Sequence, residues 1–268
     1  MSFPSEPDDT NALRTLLATG RSAVGSWCTT PATLTAEILT VEPVDFVCFD
    51  CQHGLVDAGT LPALLAAVHG SVTALVRVPA NDTSAIGRAL DLGAGGVIVP
   101  MVGSAEEARR AVGACRYAPG GTRSYGPSRA GLVLGTEPAA LQAHPLCFVM
   151  IETPAAVARA TEICAVAGLA GAYVGPADLA VALGVRPADM DGSPAHAEAV
   201  EAVRLACDGA GVASAIHTAG GADARRRLAQ GFRMVSLPTD AVLLRAALRR
   251  ELGAARGTET TPDPRPYG

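Results

Sequence analysis

Eight short apolar runs punctuate the chain, separated by Ala- and Leu-rich stretches whose apolar positions recur with helical spacing. The runs are Ala23 to Cys28, Asp45 to Asp50, Thr73 to Val78, Gly96 to Pro100, Leu146 to Ile151, Gly171 to Gly175, Ala213 to His217 and Arg233 to Leu237. Of the stretches between them, Ala105 to Ala114 carries the clearest helix signal. It follows Ser104, a good capping residue, and places Glu106 and Glu107 in its first turn, where the helix dipole favours negative charge. Strand followed by helix, repeated eight times, predicts a (β/α)8 TIM barrel in a single domain over residues 1–256. An open doubly wound sheet is the alternative, but no GxGxxG opens its first helix. Tyr117 to Pro138, rich in Gly and Arg, reads as a long irregular and therefore functional loop. The polar, Pro-containing tail from Gly257 to Gly268 reads as frayed.

Composition sharpens this picture by exclusion. At 49% hydrophobic but only 4% aromatic residues, the chain suits many short buried strands under Ala-rich helices better than a β-sandwich. A net charge of -5 offers no basic face to a nucleic acid, and Arg225, Arg226 and Arg227 read as the solvated side of a helix. The acidic start lacks the features of a signal peptide, and no stretch is long and apolar enough to span a bilayer, so a cytoplasmic protein without membrane contact is expected. Seven cysteines, an odd number in apolar segments, predict reduced core thiols. Cys48 and Cys51 form a CxxC, but it ends a strand and has no second pair to complete a zinc site.

In a parallel barrel the chemistry sits at the C-terminal ends of the strands. There the chain places Asp50, Gln52 and His53 after the second run, Arg77 in the third, Glu152 after the fifth, Gly175 to Asp178 after the sixth and His217 at the end of the seventh. Glu152 and Asp178 are one β/α unit apart, so both face one mouth, and two hard oxygen donors suit Mg2+, Mn2+ or a similar ion better than zinc. Taken alone, Asp178 reads equally well as a helix cap. Together the group fits proton abstraction next to a carbonyl, which needs a base such as His53 and fixed positive charge such as Arg77 and a metal for the enolate. A Schiff-base route is excluded because all 21 basic residues are Arg.

Six pieces in order carry a family resemblance: GSWCTTPATLTAEI, DFVCFDCQHG, VRVPANDTSAIGRALDLGAGGVIVPMV, RYAPGGTRS, MIETPAAV and AYVGPADLA. With these, nearly the whole chain resembles the HpcH/HpaI family of class II pyruvate aldolases, which act on 4-hydroxy-2-oxo acids. The resemblance implies His53 as base, assisted by Asp91, Arg77 as enolate stabiliser, and Glu152 and Asp178 as ligands of Mg2+, Mn2+ or Co2+. It implies pyruvate or another 2-oxo acid, plus an aldehyde, held around Trp27, Met150, Gly175, Ala177, Asp178 and His217, and a homohexamer built through C-terminal helices, here Ala241 to Leu248. The chain departs from the family pattern in three places: Met150 stands where close relatives have Gln, DCQH replaces DxEH, and His217 replaces an aliphatic residue. His217 is therefore expected to touch the aldehyde. An acyl-CoA lyase of the malyl-CoA or citrate lyase type and a catalytically silent metabolite-binding barrel are the competing functions. The chain has no room for an added CoA domain, and its set of rim residues argues against a silent barrel.

Overall fold

The computed structural model describes residues 11–257. Eight parallel strands close into a barrel in chain order, β8 pairing back onto β1. They are β1 (Ala23–Cys28), β2 (Phe46–Asp50), β3 (Thr73–Arg77), β4 (Gly96–Val99), β5 (Leu146–Ile151), β6 (Gly171–Val174), β7 (Ala213–His217) and β8 (Met234–Thr239). Every expected run forms its strand, with ends shifted by one or two residues at most of them. The two-residue side-chain period sorts each strand. Phe46, Cys48, Leu75, Ile98, Phe148, Met150, Tyr173, Ala215 and Met234 fill the barrel interior. Val47, Phe49, Val76, Val97, Val149, Val174, Ile216 and Val235 pack outward under the helices. Gly25 shares the interior face of β1 with Ala23 and Trp27, and a β-carbon there would collide with the Phe46 ring.

Helix starts follow the local chemistry. Ser104 accepts from the Glu107 amide and opens the helix Ala105–Ala114 as expected, and Asp82, Thr153, Ser193 and Thr239 cap their helices in the same way. A short helix, Ala12–Ala18, closes the barrel floor, an element the strand count did not anticipate. Its Leu13 joins the interior core, and Asn11 donates to the carbonyls of Gly95 and His144 at 2.7 and 3.0 Å.

Two expectations need correction. Tyr117 to Pro138 is not irregular throughout: it contains the helix Ser128–Leu134 and joins the helix Ala105–Ala114 to the start of β5, at the floor rather than the mouth. Its Arg123 is buried over the Tyr117 ring and paired with Asp91, so the segment is tied down by packing that its Gly content concealed. The three arginines lie on the helix Gly221–Ala229, but Arg227 is buried, ion-paired with Asp223 and hydrogen-bonded to Gln230, and only its neighbours face water. The tail after Gly257 lies outside the described residues.

Candidate active site

A cavity of about 680 Å3 opens at the C-terminal ends of the strands. Trp27, His53, Arg77, Met150, Gly175, Ala177, Asp178 and His217 all line it. A second cavity of about 670 Å3 lies at the floor, where Arg14 and Arg233 are spent on backbone carbonyls of the closing helix and of residues 143–145. The mouth is therefore where the side chains with chemistry converge. They do so because Asp50, Arg77 and His217 occupy the inward phase of β2, β3 and β7.

At the centre lies an ion pair that a strand-by-strand reading of the sequence cannot join. The Asp50 carboxylate accepts from Arg77 Nε at 2.9 Å and Nη2 at 2.6 Å, and both residues are buried. It also accepts from the indole of Trp27 and from the amides of Gln52 and His53. Burial opposes ionisation of Asp50, but the Arg77 guanidinium and the two amides outweigh it and hold the carboxyl below its ordinary value. The guanidinium carbon sits 5.1 Å from the Trp27 ring centre, so ring and carboxylate together fix its plane.

The second charged group is the carboxylate pair. Glu152, directly after β5, is buried, whereas Asp178 is exposed to the cavity in the first turn of the helix Pro176–Ala182. The cap of that helix is Gly175, which makes no side-chain cap bond, so the capping role weighed for Asp178 is not the one it plays. Burial pushes the Glu152 carboxyl up to about 7; the amide of Met101 pulls it back, and the like charge of Asp178 adds to the rise. Met101 donates to Glu152 Oε1 at 2.7 Å from a left-handed backbone, φ 56°, a conformation costly for a side-chain-bearing residue. A β-carbon at Gly175 would collide with Glu152 Oε2, so only glycine leaves the carboxylate its place. Among the described residues no group of three or more His, Cys, Asp or Glu is arranged to hold a metal. The buried carboxylate and its acidic neighbour are nonetheless a hard-oxygen donor pair short of a compensating cation, which fits an ion such as Mg2+.

The two histidines differ in kind. His53 is exposed at the mouth and bonded through its amide to Asp50. His217 is buried, its Nδ1 2.7 Å from Ser236 Oγ, which in turn accepts from the Tyr173 hydroxyl at 2.5 Å. Burial, aided by the charge of Arg77, lowers the His217 imidazole to about 4. Strand-end reading missed Ser236 and Tyr173, which are invisible without the β6–β7–β8 neighbourhood. It also missed Met101 and the clamp at Asp240, whose carboxylate accepts from the amides and hydroxyls of Thr29 and Thr30. Asp91 is not brought to the mouth. It ends the helix Thr83–Asp91 on the floor side, with Arg123 Nη2 2.7 Å away. Cys48 and Cys51 face the inner and outer cores respectively, and burial raises both thiols, Cys51 to about 11.

Residues 24–247 match the model of the HpcH/HpaI aldolase/citrate lyase family. A hydroxypyruvate/pyruvate aldolase of Rhizorhabdus wittichii is 37% identical over 92% of this chain and 99% of its own length. A 4-hydroxy-2-oxovalerate aldolase of Rhodococcus jostii is 35% identical, covering 87% of this chain and 92% of itself. Among solved structures, an HpcH/HpaI aldolase/citrate lyase family protein of Burkholderia cenocepacia superposes with a TM-score of 0.85 at 28% identity, covering 92% of this chain and 99% of that one. With the family model spanning most of the barrel and relatives matched almost end to end, the chain belongs to the HpcH/HpaI aldolase/citrate lyase family.

Proposed function

We propose that the chain is a class II aldolase, a carbon–carbon lyase that enolises pyruvate or a similar 2-oxo acid and adds it to, or releases it from, an aldehyde. The observation that carries this reading is the convergence on one cavity of Asp178, the buried Arg77 and the exposed His53, with the buried Glu152 carboxylate directly behind its lining residue Gly175. Glu152 and Asp178 would hold the divalent cation, which when bound polarises the carbonyl of the 2-oxo acid. His53 takes a proton from the carbon beside that carbonyl. Arg77, its plane fixed by Asp50 and Trp27, places positive charge where the enolate oxygen develops. The amides of Ala177 and Asp178, in a first turn without a side-chain cap, receive the carboxylate of the acid, with Met150 beneath. His217 meets the aldehyde.

The test is proton exchange into pyruvate in D2O, followed at the methyl signal. Chelated enzyme should be silent and Mg2+, Mn2+ or Co2+ should restore exchange; exchange undiminished by exhaustive chelation would overturn the class II reading. His53→Ala should lose exchange and aldol cleavage together, by about 10²-fold or more. His217→Leu should keep exchange and change acceptor preference, and the reverse pattern would exchange the two roles.

The proposal extends to setting and assembly. Seven free thiols, including Cys164 and Cys207, whose sulfurs share a hydrogen bond at 3.7 Å and no disulfide, support a reducing, cytoplasmic setting. No described helix is long and apolar enough to cross a membrane. The helix Asp240–Arg256 exposes Leu243, Leu244, Leu248 and Leu252, which supports a homohexamer joined through it. Within one copy Asp91 and His53 lie at opposite ends of the barrel, so the assistance expected of Asp91 rests on that assembly.

A further inference from the structure

The outer wall of the cavity differs from its catalytic floor. Leu55, Val181, Pro187, Ala241 and Val242 form that wall, and within a single copy Leu55 and Val181 are 74% and 63% exposed. Large aliphatic side chains left in water at the entrance of a cavity gain by meeting an apolar ligand. The polar groups interleaved with them are committed elsewhere. The hydroxyls of Thr29 and Thr30 both donate to Asp240 at 2.5 Å, and Thr239 Oγ accepts from the Val242 amide. Thr29 and Thr30 therefore keep no hydroxyl proton for a carboxylate or phosphate, and of the three only Thr239 does.

Charge points the same way. Among the described lining residues the only arginine is Arg77, buried and bonded through two nitrogens to Asp50. Glu152 and Asp178 are spent on the divalent cation and Asp240 on the two threonines, so the wall adds no cationic side chain to Arg77. Arg186, beside the wall residue Pro187, is 82% exposed and has Nε 2.6 Å from Asp189, which offsets it. His217 adds no charge at neutral pH, because burial keeps its imidazole neutral. An anionic tail on the incoming aldehyde would therefore exchange water for a largely aliphatic wall with no cationic side chain to meet it.

We infer that the acceptor is an uncharged, largely apolar aldehyde, aliphatic or aromatic, and not one bearing a carboxylate or phosphate. This rests on the aldolase reading above. The proton leaves the pyruvate methyl for His53, that carbon bonds to the aldehyde carbonyl carbon, and the aldehyde oxygen takes up a proton as the new hydroxyl, with no net redox change. The test pairs aldehydes of equal carbon count and opposite character, butanal against succinic semialdehyde and 4-methylbenzaldehyde against 4-carboxybenzaldehyde, with pyruvate and Mg2+ or Mn2+. The neutral member of each pair should have a kcat/KM higher by about tenfold or more, since a carboxylate moved from water against an apolar wall without a partner carries at least that penalty. Val181→Arg, a change at an exposed position, should shift the ratio toward the anion by about tenfold. Equal or greater kcat/KM for the anions, or an unmoved ratio in V181R, would overturn the inference. Pyruvate exchange in D2O on the same preparation separates the two levels. Exchange with a preference for anions leaves the aldolase reading standing and removes only the acceptor class, whereas absence of exchange with any divalent ion removes both.

Discussion

Asp50 is the residue whose removal should cost most, because it neutralises a guanidinium that has almost no access to water. Asp50→Asn keeps the shape and the possibility of bonding Trp27 but leaves Arg77 charged and buried, a defect worth about 3–5 kcal/mol. Urea unfolding should register that loss, together with loss of pyruvate exchange; a change below about 1 kcal/mol, the range of an exposed pair, would mean the ion pair is solvated in solution. His217 gives the pH dependence. Its pKa is lowered in the folded protein, from 6.5 to about 4, so the unfolded chain binds a proton first as the pH falls. Its contribution is fully present above about 6.5 and is lost toward 4, amounting to about 3 kcal/mol over the window. Stability measured at pH 7.5 and 5 should therefore diverge more in the parent than in His217→Leu, and equal slopes would show that the imidazole takes up its proton in the folded state.

Between elements, the clamp at Asp240 ties the C-terminal helix to the loop after β1. Its carboxylate accepts four hydrogen bonds from Thr29 and Thr30, and the Thr29 carbonyl in turn accepts from the Leu55 amide two residues beyond His53. Asp240→Ala should destabilise by about 3 kcal/mol, since bonds to an ionised group are individually strong but not additive. It should also raise KM for the aldehyde more than it lowers pyruvate exchange, because the wall loosens while Glu152, Asp178 and Arg77 stay anchored elsewhere. Scanning calorimetry and steady-state kinetics check the two halves of that expectation. At this scale the sequence was informative wherever period and cap coincide, as at Ser104 and the helix Ala105–Ala114. It misled at Tyr117 to Pro138, where Gly and Arg looked like a loose loop but Arg123 and Arg129 bind Asp91 and Leu92 and fold the segment onto the floor.

For the whole molecule, the exposed leucine face of the helix Asp240–Arg256 sets the expectation. Leu244→Glu with Leu248→Glu should reduce the mass seen by light scattering at micromolar concentration, because burying those carboxylates in an interface is unfavourable. A parent protein that is already monomeric would remove the hexamer. If the assembly falls apart and activity falls with it while the barrel stays folded by circular dichroism, a role for Asp91 across copies gains support.

The sequence by itself determined the barrel and most of the residues at its mouth. Strand runs and helical periods are local signals, and in a parallel barrel the C-terminal end of each strand is fixed once the strand is, so His53, Arg77, Glu152, Asp178 and His217 could be placed at one mouth without coordinates. Only the tertiary structure decided which of them touch. The lock of Asp50 on Arg77 and the bond of His217 to Ser236 depend on the register between neighbouring strands, and the hold of the Met101 amide on Glu152 depends on a left-handed turn after β4. Register and turn geometry arise when the sheet closes and every inward side chain must fit beside its neighbours, information that no single segment of the chain contains.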